Sequence, residues 1–212
     1  MKSFFVLLVF TLFAIVNAYC QASPKVKRNN DLTYFDTTIN LFGDSSYKLA
    51  LHYWGLTDFG QYSGDKENAT FTVYNSTGGH KKILLSDSLN CLDPMIMFDD
   101  FNNDKIKDLM IFHSTGGRAN PTYYLYLVDP RNKTLTSIRG FEDIPNPSLD
   151  TAENIITGSA LYSDKIFFTF YTINNENKLI DLKHGFEEEL NDSLTYENAI
   201  KQIHKEYGKF SH

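Results

Sequence analysis

Residues 95–113 read MIMFDDFNNDKIKDLMIFH. Two short apolar runs, at residues 95–98 and 109–113, enclose a loop of Asp, Asn and Lys. Short apolar runs bounded by polar turn residues are typical of β-strands, whereas a helix would need a longer periodic segment. The stretch therefore predicts two strands joined by an acidic loop, which we define as residues 100–108.

The same pattern recurs on both sides of this stretch. In residues 46–54 the side chains Tyr47, Leu49, Leu51 and Tyr53 fall on one face of an extended chain, which predicts a strand with one buried face. Residues 75–79, Asn-Ser-Thr-Gly-Gly, predict a hairpin turn between strands at 69–74 and 82–85. Further strands are predicted at 123–128, 134–138, 154–157, 165–173 and 178–182, with a turn at 174–177.

These short strands predict an all-β fold, an antiparallel β-sandwich or barrel-like domain with a short C-terminal α-helix. The helix is predicted over residues 196–207, where Ala199, Ile200, Ile203 and Tyr207 share one stripe. Ser193 or Thr195 would be its N-cap. The chain has no repeat of fixed period, which argues against a full propeller.

Length and composition indicate one globular domain with an appendage. The chain has 212 residues, of which 42% are hydrophobic and 15% aromatic. We expect a β domain at residues 31–185 and a C-terminal helical segment at 186–212. The net charge of -6 argues against nucleic acid as a partner, because such binding depends on Lys and Arg neutralising phosphates.

The N-terminus has the pattern of a secretory signal peptide at residues 1–18, followed by a linker at 19–31. Lys2 precedes an apolar run over residues 4–16, and Val16 and Ala18 fit the positions before a cleavage site. The alternative, a membrane anchor, would need about 20 apolar residues. No later segment is apolar enough to span a bilayer. We therefore expect a periplasmic or secreted protein without a transmembrane segment after cleavage.

The two cysteines leave alternatives open. Cys20 lies just after the expected cleavage site, so it could carry a lipid anchor, although the bulky Tyr19 does not fit the small residue that lipidation requires. Cys20 could instead form a disulfide with Cys91 in an oxidising compartment. Two cysteines form neither a disulfide scaffold nor a zinc site.

The acidic loop has the spacing of a calcium site. Asp100, Asn102, Asp104 and Asp108 occupy positions 1, 3, 5 and 9, and the carbonyl of Ile106 is available at position 7. Ca²⁺ prefers six to eight oxygen ligands, and alternate side chains of a tight loop can converge on one ion. We therefore predict Ca²⁺ as a cofactor held by these five residues.

Two features separate this loop from an EF-hand. Position 12 lacks the EF-hand Glu, and position 6, usually glycine for a sharp turn, is Lys105. A residue other than glycine at positive φ is uncommon. The alternative interpretation is a solvated hairpin turn that binds no ion, because Asp and Asn favour turns in any case.

A longer pattern extends from about residue 97 to residue 156. The acidic loop is followed by a Gly-rich segment at 114–120, a Tyr-rich strand at 123–126 and Asn-Pro-Ser-Leu-Asp at 146–150. This pattern, over residues 97–156, resembles that of a family of bacterial periplasmic immunity proteins, which neutralise lysozyme-like toxins delivered by type IV secretion. The acidic loop by itself is similar to the calcium loops of FG-GAP modules.

The resemblance implies the fold of invertebrate-type lysozyme inhibitors and, as partner, a lysozyme-like peptidoglycan hydrolase. In such inhibitors one loop enters the cleft of the target and meets its catalytic carboxylates. The partner-binding loop implied here contains Ser114, Gly116, Gly117, Arg118 and Tyr123. The alternative is an ordinary Gly-Gly hairpin loop between two core strands. The C-terminal helix is not part of the family pattern.

Nothing in the sequence indicates an enzyme. Gly-x-Ser-x-Gly, His-Glu-x-x-His, P-loop and dinucleotide-binding motifs are absent, and the histidines are scattered. We therefore expect no catalytic activity, and the resemblance implies a calcium-stabilised, extracytoplasmic inhibitor of the immunity type. The alternative function is a calcium-stabilised adhesion module, or a glycan- or protein-binding module, without inhibitor activity.

Overall fold

The computed structural model describes residues 25–29, 32–56, 66–116, 120–189 and 194–210. Fourteen strands in this part of the chain form three antiparallel sheets. The first sheet contains five strands in chain order: Lys25–Asn29 (β1), Leu32–Leu41 (β2), Asp44–Leu56 (β3), Ala69–Asn75 (β4) and Lys82–Leu89 (β5).

The second and third sheets continue the same up-and-down pattern. The second contains Ile96–Asp99 (β6), Asp108–Gly116 (β7), Asn120–Asp129 (β8) and Thr134–Ile138 (β9). The third contains Ser148–Asp150 (β10), Ile155–Tyr162 (β11), Lys165–Ile173 (β12), Leu179–Asp181 (β13) and Phe186–Glu189 (β14). A 3₁₀ helix at Phe141–Asp143 precedes the third sheet, and Leu194–Tyr207 (α1) is the C-terminal helix.

The sheets are stacked in chain order, and the first core lies between the first and second sheets. Leu49, Leu51 and Tyr53 from β3 are buried there, opposite Leu109 and Ile111 from β7. The period-two alternation predicted for residues 46–54 is therefore confirmed, because its odd-numbered side chains face this core.

A second core lies between the second and third sheets. Met110 of β7 and Leu125 of β8 are buried in it with Phe141 of the 3₁₀ helix and Ile156 of β11. The central strands β7 and β8 of the second sheet thus have buried side chains on both faces. This explains why residues 109–112 form a continuous apolar run, whereas a strand with one solvated face shows alternation.

The helix α1 packs on the outer face of the third sheet. Ala199, Ile200 and Ile203 are buried against a cluster that includes Phe170 of β12. Three members of the predicted stripe therefore face the protein as expected. The prediction is wrong for Tyr207, which is 40% exposed in the last turn of the helix.

The structure confirms the predicted fold class, an all-β sandwich-like domain with a short C-terminal helix. All ten predicted strands are present, whereas the strands β2 at Leu32–Leu41 and β10 at Ser148–Asp150 were missed. The helix begins at Leu194, so Thr195 lies inside its first turn and is not the N-cap. The other candidate cap, Ser193, lies outside the described residues.

Both predicted domain boundaries need correction. The strand β1 at Lys25–Asn29 falls inside the expected linker, because an edge strand pairs on one side only and needs no apolar signature. The strand β14 at Phe186–Glu189 falls inside the expected helical segment. Its Phe186 ring packs 5.0 Å from the ring of Phe168, and Glu187 forms an ion pair with Lys165.

Several expectations concern residues outside the described part. The signal peptide at 1–18, most of the linker and Cys20 are among them. Cys91, in contrast, is a buried free thiol in the first core. Burial, assisted by the charge of Asp93, raises the pKa of this thiol to about 12. Among the described helices, none is long and apolar enough to cross a membrane.

Candidate functional site

The acidic loop connects β6 to β7 and is held by its own side chains. The backbone N–H of Lys105 donates to Asp100 Oδ2 at 2.8 Å, and that of Ile106 donates to Asp104 Oδ1 at 2.7 Å. The N–H of Asp104 donates to Asn102 Oδ1 at 3.3 Å. Side chains at loop positions 1, 3 and 5 thus all turn inward, which is the orientation that a cation-binding loop requires.

The loop makes its sharp turn without glycine. Lys105 has a φ of 68° and Asn103 has a φ of 60°, both in the left-handed region. For a side chain such as lysine this conformation costs roughly 1–2 kcal/mol. The exposed Lys105 thus takes the backbone conformation that glycine usually supplies at position 6.

Asp108, at position 9, is fully buried at the base of the loop. Its Oδ2 accepts from the N–H of Phe101 and its Oδ1 from the N–H of Val128, each at 3.0 Å. Burial raises the pKa of this carboxyl to about 7 against the opposing effect of these two hydrogen bonds. The negative charges of Asp104 and Asp100 make a smaller contribution in the same direction as burial. The fully ionised loop is therefore electrostatically unfavourable without a counter-charge.

One loop oxygen has no internal partner. Asp100 Oδ1 is buried and makes no hydrogen bond with the protein. Asn102, Asp104 and Ile106 line an adjacent cavity of about 440 Å³. Within the described residues, no three His, Cys, Asp or Glu side chains converge as a metal site by themselves. The donor set of the loop also includes an amide and a carbonyl oxygen, and together with the orphaned Asp100 oxygen this set fits Ca²⁺.

The predicted partner-binding loop lies at the β7–β8 hairpin, and the structure separates some of its members. Ser114 is near the end of β7, and its Oγ is 3.2 Å from Thr122 Oγ1. Gly116 is the last residue of β7, while Gly117 and Arg118 lie outside the described residues. Tyr123 points into the second core.

The ring of Tyr123 is half-buried and packs edge-to-face on Phe112 at 5.6 Å. Burial raises the pKa of its hydroxyl. Because successive side chains of a strand point to opposite faces, Tyr123 and Thr122 cannot both face the same surface. The main role of Tyr123 in this structure is packing.

A polar groove lies beside Ser114, and we call it the terminal groove. It has a volume of about 480 Å³ and joins the second sheet to the third. Its walls come from β7, β8, the 3₁₀ helix and the end of β11: His113, Ser114, Asn120, Thr122, Glu142, Asp143, Pro145, Ala160, Leu161 and Tyr162.

An asparagine pair fixes the base of this groove. Asn120 is buried, and its Oδ1 accepts from the N–H of Leu161 at 2.9 Å and from Asn146 Nδ2 at 3.1 Å. Asn120 Nδ2 donates to the carbonyl of Leu161 at 3.2 Å. Asn146 Nδ2 also donates to the carbonyl of Ser159 at 2.8 Å. These bonds fasten the β7–β8 hairpin to β11, so the groove has a rigid floor.

Most of the terminal groove has no local signal in the sequence. Thr122, Glu142 and Tyr162 belong to three separate chain segments that meet only after the second and third sheets stack. Asn146 lies in the Asn-Pro segment of the family pattern, and its φ of 44° marks it as a special backbone position. Among the groove residues outside the β7–β8 hairpin, the Asn-Pro segment was the part that the sequence pattern marked.

The fold and the two sites define an all-β protein with an oxygen-rich turn and a rigid polar groove. No protein-family model, curated protein or solved structure matches this chain.

Proposed function

We propose that this protein is an extracytoplasmic, calcium-stabilised binding protein that inhibits a lysozyme-like peptidoglycan hydrolase. The observation that carries the calcium part is the acidic loop. Its side chains turn inward, one buried carboxylate oxygen of Asp100 has no partner, and the pKa of Asp108 is raised. A bound cation would supply the missing counter-charge and stabilise the loop.

Asp100, Asn102, Asp104, the Ile106 carbonyl and Asp108 would hold the ion. When bound, Ca²⁺ supplies positive charge and fixes the loop conformation. The backbone of the loop already contributes the turn through Lys105. The Asn103 amide donates to the carbonyl of Thr151 at 3.0 Å and so joins the loop to the third sheet.

The inhibitor part of the proposal rests on the β7–β8 hairpin. A lysozyme cleft holds two carboxylates, and hydroxyl groups such as that of Ser114 can donate hydrogen bonds to them. The described base of the hairpin is fastened through Asn120 and Asn146, so this part would lose little conformational entropy on binding. Tyr123 would support the hairpin from the core and would not touch the target.

A turbidity assay on peptidoglycan tests this function. The mature protein is titrated into lysozymes of several classes, with calcium and with a chelator. We expect stoichiometric inhibition that is lost in Gly116→Trp, because a large side chain there blocks entry into a narrow cleft. Ser137→Trp, at an exposed position of the edge strand β9, is the matched control and should retain inhibition.

The alternative function is a calcium-stabilised adhesion or binding module. It would give no inhibition of any lysozyme class, while calcium would still raise the melting temperature. An unchanged melting temperature between calcium and chelator, in wild type and in Asp104→Ala alike, would refute the calcium part. The two parts of the proposal can therefore fail separately.

A further inference from the structure

A pair of exposed aromatic side chains lies at the rim of the terminal groove. Tyr162 is 59% exposed and Phe167 is 38% exposed, and their rings meet edge-to-face at 5.5 Å. They stand at the β11–β12 hairpin, and Tyr162 also lines the groove. Large aromatic side chains are usually buried, so an exposed pair at a cavity rim marks a contact surface.

The charge of the groove is one-sided. Glu142 and Asp143 line it, and neither takes part in any of the ion pairs found among the described residues. No Lys or Arg is found among its described lining residues. Two uncompensated carboxylates beside hydroxyl groups form a favourable site for a guanidinium or ammonium group, since hydrogen bonds between charged groups are the strongest.

From these observations we propose that the terminal groove binds a basic side chain, arginine or lysine, of a partner protein, while Tyr162 and Phe167 hold an adjacent apolar patch of that partner. This inference rests on the proposed function, because it names the surface and the partner chemistry of the same hairpin end. It extends the contact from the β7–β8 hairpin to the β11–β12 hairpin.

A protein is a better fit than a saccharide. The aromatic pair meets at an interplanar angle of 85°, so it offers one edge and one face instead of a flat stacking platform. Tyrosine and other aromatic anchors dominate protein–protein contacts when charged groups surround them at the rim. The net charge of -6 would also attract a basic partner over long range.

The groove is tested with small probes on the full mature chain in calcium. Backbone amide NMR signals are followed while N-acetylarginine amide is added, and N-acetylcitrulline amide serves as the uncharged control of the same shape. We expect signals of Ser114, Asn120 and Leu161 to shift with arginine only. The shifts should vanish in Glu142→Gln/Asp143→Asn and persist in Glu67→Gln, which changes an exposed carboxylate elsewhere.

Equal shifts with citrulline, or none with arginine, would overturn the inference. So would groove shifts produced by a peptidoglycan disaccharide in the absence of arginine shifts, because the ligand would then be a saccharide. These readouts need no inhibitor activity, so they remain decisive if the inhibitor proposal fails.

The aromatic pair is tested by affinity for whichever lysozyme the protein inhibits. Tyr162→Ser should weaken binding by about tenfold or more without changing the melting temperature, because the residue is exposed. Tyr207→Ser, another exposed tyrosine on α1, should leave affinity unchanged. Unchanged affinity in Tyr162→Ser would overturn the extension of the contact surface while leaving inhibition through the β7–β8 hairpin intact.

Discussion

The buried carboxyl of Asp108 should make the stability of the calcium-free protein depend on pH. Its pKa is about 7 in the folded protein, against an ordinary value of 3.8 for an Asp in water. Between these two values the folded state holds a proton that the unfolded state has released. The contribution of Asp108 to the free energy of unfolding should therefore be highest below pH 4 and should fall as the pH rises to 7.

The size of the effect follows from the difference in pKa. Each pKa unit corresponds to about 1.4 kcal/mol, so the free energy of unfolding falls by roughly 4 kcal/mol over the whole titration of Asp108. Roughly 3 kcal/mol of this loss occurs between pH 5 and pH 8. In a chain of this length that corresponds to about 6–12 °C in melting temperature. Because Asp108 is fully buried, screening by solvent does not reduce this figure much.

The assay is urea unfolding at pH 5 and pH 8 in chelator, for wild type and Asp108→Asn. The asparagine cannot accept from both Phe101 and Val128, so the variant is less stable at low pH. Its stability should nevertheless change less than that of wild type between the two pH values. Equal pH dependence in the two proteins would refute the reasoning. Calcium should reduce the wild-type dependence, because a cation favours the ionised carboxylate.

Three further predictions concern packing. Asn120→Ala should lower the free energy of unfolding by about 2–4 kcal/mol, because the N–H and the carbonyl of Leu161 would both lose their hydrogen bonds to the Asn120 side chain. The control Asn175→Ala, in an exposed turn, should change the free energy of unfolding little. Gly158→Ala should lower the free energy of unfolding by about 1–3 kcal/mol, since the added Cβ would lie 2.5 Å from the Thr169 hydroxyl oxygen. An unchanged free energy of unfolding in a urea titration would contradict this close packing. In a Cys20→Ser background, Cys91 should react with a thiol reagent at pH 8 roughly 100-fold more slowly in the native state than in urea, and equal rates would contradict its burial.

The strands that could be predicted were those whose side chains carry a regular pattern. Leu49 and Leu51 alternate with polar residues because one face of β3 is buried, and that pattern is visible in the sequence. The strand β2 was missed because Thr37 interrupts the apolar side chains Phe35, Ile39 and Leu41 on its core face, which leaves only a short alternation. The strand β1 was missed because backbone pairing to a single neighbour leaves no mark on composition.

The candidate site could be predicted only in its local part. The acidic loop is contiguous, so its spacing carried the prediction, and the inward side chains of Asp100 and Asp104 agree with that spacing. The terminal groove is assembled from distant segments. Sequence pattern could not tell that Tyr123 faces the second core, or that Glu142 and Tyr162 would line the groove, because both depend on how the sheets stack.

The order in which the strands pair also affects how quickly the chain can fold. All but one of the strand pairings in the described residues join neighbours along the chain, and the exception is β14 with β12. Short loops close at low entropic cost, so contacts within each sheet can form faster than in all-β folds whose paired strands are far apart in sequence.

The contacts between sheets form later, and this sets an order of events. Leu51 and Phe71 on the first sheet stay open to water until the second sheet, which begins at Ile96, covers them. A chain emerging from its N-terminus would therefore pass through a stage with one finished sheet and one bare apolar face. At that stage the nascent protein is exposed to aggregation; β6 to β9 then cover this face, but their own outer face, with Met110 and Leu125, stays bare until the third sheet follows.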